Sequence, residues 1–203
     1  MLKPYLNSTR TYVLSILTTR TLVENFYHDV NHTQEVVQSA IEIGIGEKLS
    51  KSKMEMIQIA AWFHDVGYIE KTDGHEKVSV KYARNFLTEL QYPSNKIKII
   101  TDAILATKIP QRPKNNFEKI LCDADLFHFG KEIFFNRNDK YRVEFENHLG
   151  HKLSEHDWLV KTIDFVKNQN FHTDYAKRNF TDQKKEILRL LNEQLQRITN
   201  NTD

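Results

Sequence analysis

Apolar residues return at a spacing near 3.6 in segment after segment of this chain, and no stretch alternates apolar and polar residues long enough to suggest a strand. That periodicity confines the fold to packed helices. Only 6 Gly and 4 Pro are spread over the 203 residues, so few breakers interrupt the pattern. The expected class is all-α, with residues 1–203 forming a single domain. At 39% hydrophobic and 28% charged residues, such a chain buries a core of its own rather than staying disordered.

The spacing predicts helices over Leu6 to Glu24, from His32 to about Gly44, from a cap at Ser50 or Ser52 to Phe63, over Glu76 to Leu90, and over Asn95 to Ala106. Asn31 is the expected N-cap of the second, and Gly44 and Gly46 suit its end. A sixth apolar run, Phe117 to Phe127, is interrupted by Asp123 and Asp125. Carboxylates there need a reason, the plainest being that at least one faces solvent. Further helices are expected over Tyr141 to Leu149 and over Trp158 to Val166, the latter behind a capping sequence at Ser154 to Asp157. A last one follows Thr181, with a stripe of Ile187, Leu190, Leu191, Leu195 and Ile198.

Composition narrows the function. Twenty-nine basic and 27 acidic side chains nearly cancel, so the net charge of +2 offers no broad cationic face for a nucleic-acid duplex. Cys122 is the single cysteine, which excludes an intramolecular disulfide and a thiolate-rich metal site. The first twenty residues carry Lys3, Asn7, Arg10 and Arg20 and contain neither a signal-peptide core nor a bilayer-spanning run. A cytoplasmic protein without membrane association is expected.

Polar residues cluster at Tyr27-His28-Asp29-Val30-Asn31-His32-Thr33 and around His64-Asp65. Histidines and carboxylates together suit Mn, Fe, Zn, Ni or Mg rather than a soft metal. Adjacent side chains on a regular helix diverge by about 100°, so His64 and Asp65 can reach one ion only near a helix end. Gly67 offers such an end by freeing the backbone.

The segments Tyr27-His28-Asp29-Val30-Asn31-His32, Trp62-Phe63-His64-Asp65-Val66-Gly67-Tyr68 and Leu121-Cys122-Asp123-Ala124-Asp125-Leu126 resemble the HD superfamily of metal-dependent phosphohydrolases. The resemblance is strong over residues 26–130 and loose over 131–203, so it implies an HD-type helical bundle with a helical C-terminal extension. It also implies a ligand set of His32, His64, Asp65 and Asp125 around one divalent metal ion, with Asp123 as an accessory position. Binuclear relatives carry further histidines, but here only His75 is suitably placed and Ala106-Thr107 stands where a pair would be expected. A mononuclear site follows. Tyr68 replaces the lysine that one subgroup carries after the doublet, so no substrate identity transfers.

The implied activity is hydrolysis of a phosphomonoester or phosphodiester, a nucleotide being one candidate substrate. Asp65 belongs to the catalytic set, and Glu76, His28, Glu70 and Asp123 are the acid or base candidates, the first two ranked highest. Lys108 and Arg112 in the basic loop, with Lys131 and Arg142, could meet phosphate. Bland readings stand beside these: His28 as a turn residue, His75 as a helix start, the basic loop as a solvated turn. A metal-retaining HD domain that senses a ligand or scaffolds without turnover is an alternative, as is an oxygenase on the same fold. Homo-oligomerisation is left open.

Overall fold

The computed structural model describes residues 4–20 and 27–200, and among these it contains helices and no strand. The helices are α1 (Pro4–Arg20), α2 (Val30–Gly46), α3 (Lys51–Phe63), α4 (His75–Glu89), α5 (Ser94–Ala106), α6 (Asn116–Asp125), α7 (Phe134–Leu149), α8 (Glu155–Asn168) and α9 (Asp174–Asn200). Short 3-10 turns at Val66–Ile69 and Phe127–Gly130 follow α3 and α6.

The α3 helix is the hub. Met56, Ile57, Ile59, Ala60, Ala61, Trp62 and Phe63 are all buried, because α1, α2, α5 and α6 pack around it. A helix apolar on every side must be enclosed in this way. The α2, α5 and α6 helices each contribute one apolar stripe to that core: Val36, Ala40 and Ile43; Ile97, Ile100 and Ile104; Ile120, Leu121 and Ala124. Leu6, Val13, Ile16 and Leu17 seat α1, and the Tyr12 ring stacks on Phe86 at 4.1 Å. The expected end of the first helix, residues 21–24, lies outside the described residues.

Two starts differ from expectation. Both α7 and α9 begin earlier, at Phe134 rather than Tyr141 and at Asp174 rather than after Thr181. The cause is that the added parts bury too few apolar residues to show a period: Phe134 with the paired Arg137 in α7, and Ala176 and Phe180 in α9. In α7 the buried side chains are Phe134, Arg137 and Glu144; in α9 the stripe Ala176, Phe180, Lys184, Ile187, Leu191 contains an alanine and a lysine.

Caps also decide boundaries. Asp29, not Asn31, caps α2, accepting the His32 N–H at 2.7 Å, while the Asn31 amide donates to the Asp29 carboxylate. Ser50 caps α3, and Ser154 accepts the Asp157 N–H to open α8.

The α8 and α9 helices pack on each other, and α9 lies against the 3-10 turn at Phe127–Gly130. Gly130 permits this approach: a Cβ there would lie 2.2 Å from Phe180 Cβ and 2.8 Å from its Cα. Backbone cannot retreat as a flexible side chain can. Gly130→Ala should therefore destabilise by about 3 kcal/mol, the upper end for overpacking, lowering Tm in a calorimetric scan by roughly 6–12 °C.

Candidate metal centre

Three helix ends bring the histidines and aspartates of the motif together. His32 sits in the first turn of α2, where the Asp29 cap holds its backbone N–H. His64 keeps helical backbone angles (φ −53°, ψ −40°) but Asp65 leaves the helix (φ −110°, ψ 7°). That change lets two adjacent side chains converge. Asp125 is the last residue of α6.

Gly67 has a different reason from the one expected. Its backbone is not in the left-handed region; instead a Cβ would lie 2.0 Å from the His75 carbonyl oxygen. The glycine makes room for α4 to start beside the doublet, and its N–H donates to Ser79 Oγ at 2.8 Å.

One ligand atom from each of His32, His64, Asp65 and Asp125 lies within 4.8 Å of all the others. His64 Nε2 is 3.0 Å from Asp65 Oδ2 and 3.5 Å from Asp125 Oδ1; His32 Nε2 is 3.4 and 3.5 Å from the same oxygens. His64 Nδ1 donates to the Ala61 carbonyl at 2.8 Å, so in the neutral ring Nε2 carries the lone pair. That lone pair faces carboxylate oxygens. Neither Nε2 has a hydrogen bond of acceptable geometry, although both rings are fully buried. Electron-rich atoms gathered without a donor need a cation between them. The residues present therefore fit a divalent metal ion. Without it a proton is the substitute: burial disfavours charge on His64, but Asp65 and Asp125 outweigh burial and hold its pKa well above the usual value.

The surroundings assign the other candidates. His75 opens α4, donates from Nδ1 to the Thr72 carbonyl at 2.9 Å, and holds Nε2 3.3 Å from Asp65 Oδ1. It lies beside the ligand set rather than in it. Glu76 is buried next to it, with Oε2 unpartnered. His28 is no surface turn residue: its side chain is 10% exposed, and its ring stacks on Tyr68 at 3.6 Å. Tyr68 stacks in turn on His75 at 4.0 Å. Glu70 accepts from the Tyr82 hydroxyl on the exposed side.

Asp123 and Asp125 point to different tasks, and neither is a solvent-facing residue. Asp123 is 1% exposed and accepts from the His172 and Thr173 N–H groups and the Thr173 hydroxyl. It fixes the start of α9 and is not among the four residues whose ligand atoms gather.

A cavity of about 680 Å³ opens from the site, lined among others by His28, Tyr68, Glu76, Tyr141, Trp158 and Lys161. Of the four cations expected to meet phosphate, Lys108 alone lines it. Arg112 faces a separate groove with Lys98 and Lys114. Lys131 pairs with Glu42 at 3.2 Å and lies over the Phe180 ring. Arg142 is held by Glu146 and Glu155, one residue round the helix from the cavity-lining Tyr141. Lys161, Trp158 and Glu144 escaped the sequence reading because no motif marks them.

The chain matches the model of the HD domain family over residues 29–130. No curated protein matches it. Among solved structures it is similar to an HD superfamily hydrolase, so named by prediction, from an uncultured Thermotogales bacterium, at 20% identity and TM-score 0.66, covering 96% of this chain and 93% of that one. YpgQ of Bacillus subtilis, solved in complex with ADP, is 21% identical at TM-score 0.65, covering 93% and 92%. A protein of Lactobacillus plantarum reaches TM-score 0.72 at 16% identity, covering 98% and 100%.

Next to the site, His128 is buried beside Tyr27, and burial pulls its pKa down to about 3. An unfolded histidine titrates near 6.5. The unfolded chain thus takes up this proton first as pH falls, and stability drops below pH 6.5 toward 3. The lost stability reaches about 2 kcal/mol at pH 5. Denaturant midpoints of His128→Phe should fall less between pH 7 and 5 than those of the wild type; equal slopes would refute the assignment.

Proposed function

The chain belongs to the HD domain family, and from that premise we propose that it hydrolyses a phosphomonoester or phosphodiester using one divalent metal ion held by His32, His64, Asp65 and Asp125. The observation that carries the reading is the pair of buried imidazole nitrogens facing two carboxylates with no donor between them. Held by these four side chains, a divalent ion would lower the pKa of a bound water and offset negative charge on a phosphoryl group.

The chain's own residues then have separable tasks. Ala61 holds the His64 ring in its ligating tautomer. Lys108 and Lys161, on the cavity lining, attract and orient the phosphate. Glu76 and His28, also on the cavity lining, are the groups that take up or deliver a proton. Tyr141 and Trp158 form an aromatic wall that shields the reacting centre from bulk water.

The substrate class we favour is a nucleotide. Its support is the aromatic wall, which suits a heterocycle, together with the ADP bound to the similar fold of YpgQ. Among the described residues no helix is long and apolar enough to cross a membrane, in keeping with a substrate met in water.

The test is metal-free protein reloaded with Mn²⁺, Mg²⁺ or Zn²⁺ and assayed on p-nitrophenyl phosphate, its bis ester, and nucleoside mono-, di- and triphosphates. Wild type should turn over at least one of them. Because losing an outer-shell partner already costs about 10–100-fold, Asp65→Ala should lose at least about 100-fold. Metal retention with no turnover above the Asp65→Ala background would replace hydrolysis by ligand sensing. Two coupled irons consuming dioxygen would replace it by oxidative chemistry.

A further inference from the structure

Glu144 lies outside the stretch that matches the HD family, yet its carboxylate reaches the edge of the metal site. It is 1% exposed. Oε2 accepts the Tyr27 N–H at 2.8 Å and the His28 N–H at 3.0 Å, and Oε1 is in close contact with His28 Nδ1. These partners stand 116 and 117 residues away in sequence. A buried carboxylate is rarely placed at such distance without a partner that needs it.

The other contacts of His28 show what Glu144 decides. Tyr68 stacks on one face of the imidazole, and Nε2 lies 4.0 Å from Asp65 Oδ2 on the cavity side. Stacking fixes the plane of the ring but not which nitrogen carries the hydrogen. Burial opposes ionisation of Glu144, but the His28 ring and the two backbone N–H groups outweigh it and hold the carboxyl below its usual range. An ionised carboxylate only accepts hydrogen bonds, so Nδ1 must be the donor.

We propose that Glu144 is a positioning residue of the site: it pins His28 in the Nδ1–H form so that Nε2 faces the substrate side of the metal centre. This rests on the hydrolytic reading above, because only a reaction there gives that nitrogen something to act on. Tyr141, one turn before Glu144 on α7, lines the same cavity, so one face of α7 both walls the site and sets the tautomer at its rim.

A purely structural Glu144 would hold only the backbone of Tyr27 and His28, and Glu144→Gln separates the roles. The amide oxygen still accepts both backbone N–H groups, while its NH2 replaces the acceptor at Nδ1 with a donor. Nitrogen-15 NMR of the full chain loaded with Zn²⁺ should therefore show His28 as Nδ1–H in wild type and Nε2–H in the variant. With any phosphoester the wild type turns over, kcat should fall by about 10–100-fold, with KM within about threefold of wild type. In a His28→Ala background the same change should add no further loss. Glu144→Asp, which keeps an acceptor-only group, should retain the wild-type tautomer and most of the turnover; a loss as large as that of Glu144→Gln would overturn the assignment. An unchanged tautomer in Glu144→Gln, or an additive loss on His28→Ala, would overturn it too. If the wild type turns over no phosphoester, the hydrolytic reading fails, and the NMR comparison still decides the tautomer.

Discussion

Two buried imidazole nitrogens facing two carboxylates at the inner end of a cavity are an unstable arrangement unless a cation joins them. The rest of the molecule is organised around holding that arrangement. The two histidines are fully buried against the core, so attraction to a cation is stronger there than it would be at a surface. The Asp29 cap holds the His32 backbone, the Ala61 carbonyl holds the His64 ring, and the room left by Gly67 lets α4 start beside Asp65. Three helices that end at one point leave these four side chains little freedom to move apart.

The C-terminal helices are not an appendage to this core. Glu144 and Arg137 stand two helical turns apart on one face of α7 and both grip the chain around His32: Glu144 through Tyr27 and His28 before it, Arg137 through Asp29 before it and Glu35 after it. Asp123, two residues before a ligand, ties α6 to the start of α9, and Lys184 reaches back from α9 to the Gln169 carbonyl. The cavity wall and the ligand set are thereby linked through buried ion pairs and hydrogen bonds. Residues of α7 and α8, among them Tyr141, Trp158 and Lys161, line the cavity that opens from the site.

The legible and illegible parts of the sequence divide along physical lines. The α2, α3, α5 and α6 helices were readable because their buried faces are hydrophobic, and the His and Asp residues stood out because they break those faces. The early starts of α7 and α9 were not: in the added part of α7 Arg137 is buried by pairing with Asp29 and Glu35, and in the added part of α9 only Ala176 and Phe180 are buried, among polar and charged neighbours. Asp29 could be told from Asn31 as the cap only once the backbone was known, both being good N-cap residues. The opposed tasks of Asp123 and Asp125 depend on α9, about fifty residues downstream. Cations were over-read: a charge near the motif in sequence, such as Lys131 or Arg142, can face a private partner, whereas Lys161 lines the cavity from a helix no motif marks.

The most direct test of the metal centre is anomalous diffraction from crystals grown with Mn²⁺ and recorded at the manganese edge. The account predicts one strong peak within about 2.0–2.4 Å of His32 Nε2, His64 Nε2, Asp65 and Asp125, with His28 and His75 outside that sphere. No peak at that point, or a peak coordinated by a different set of side chains, would contradict it.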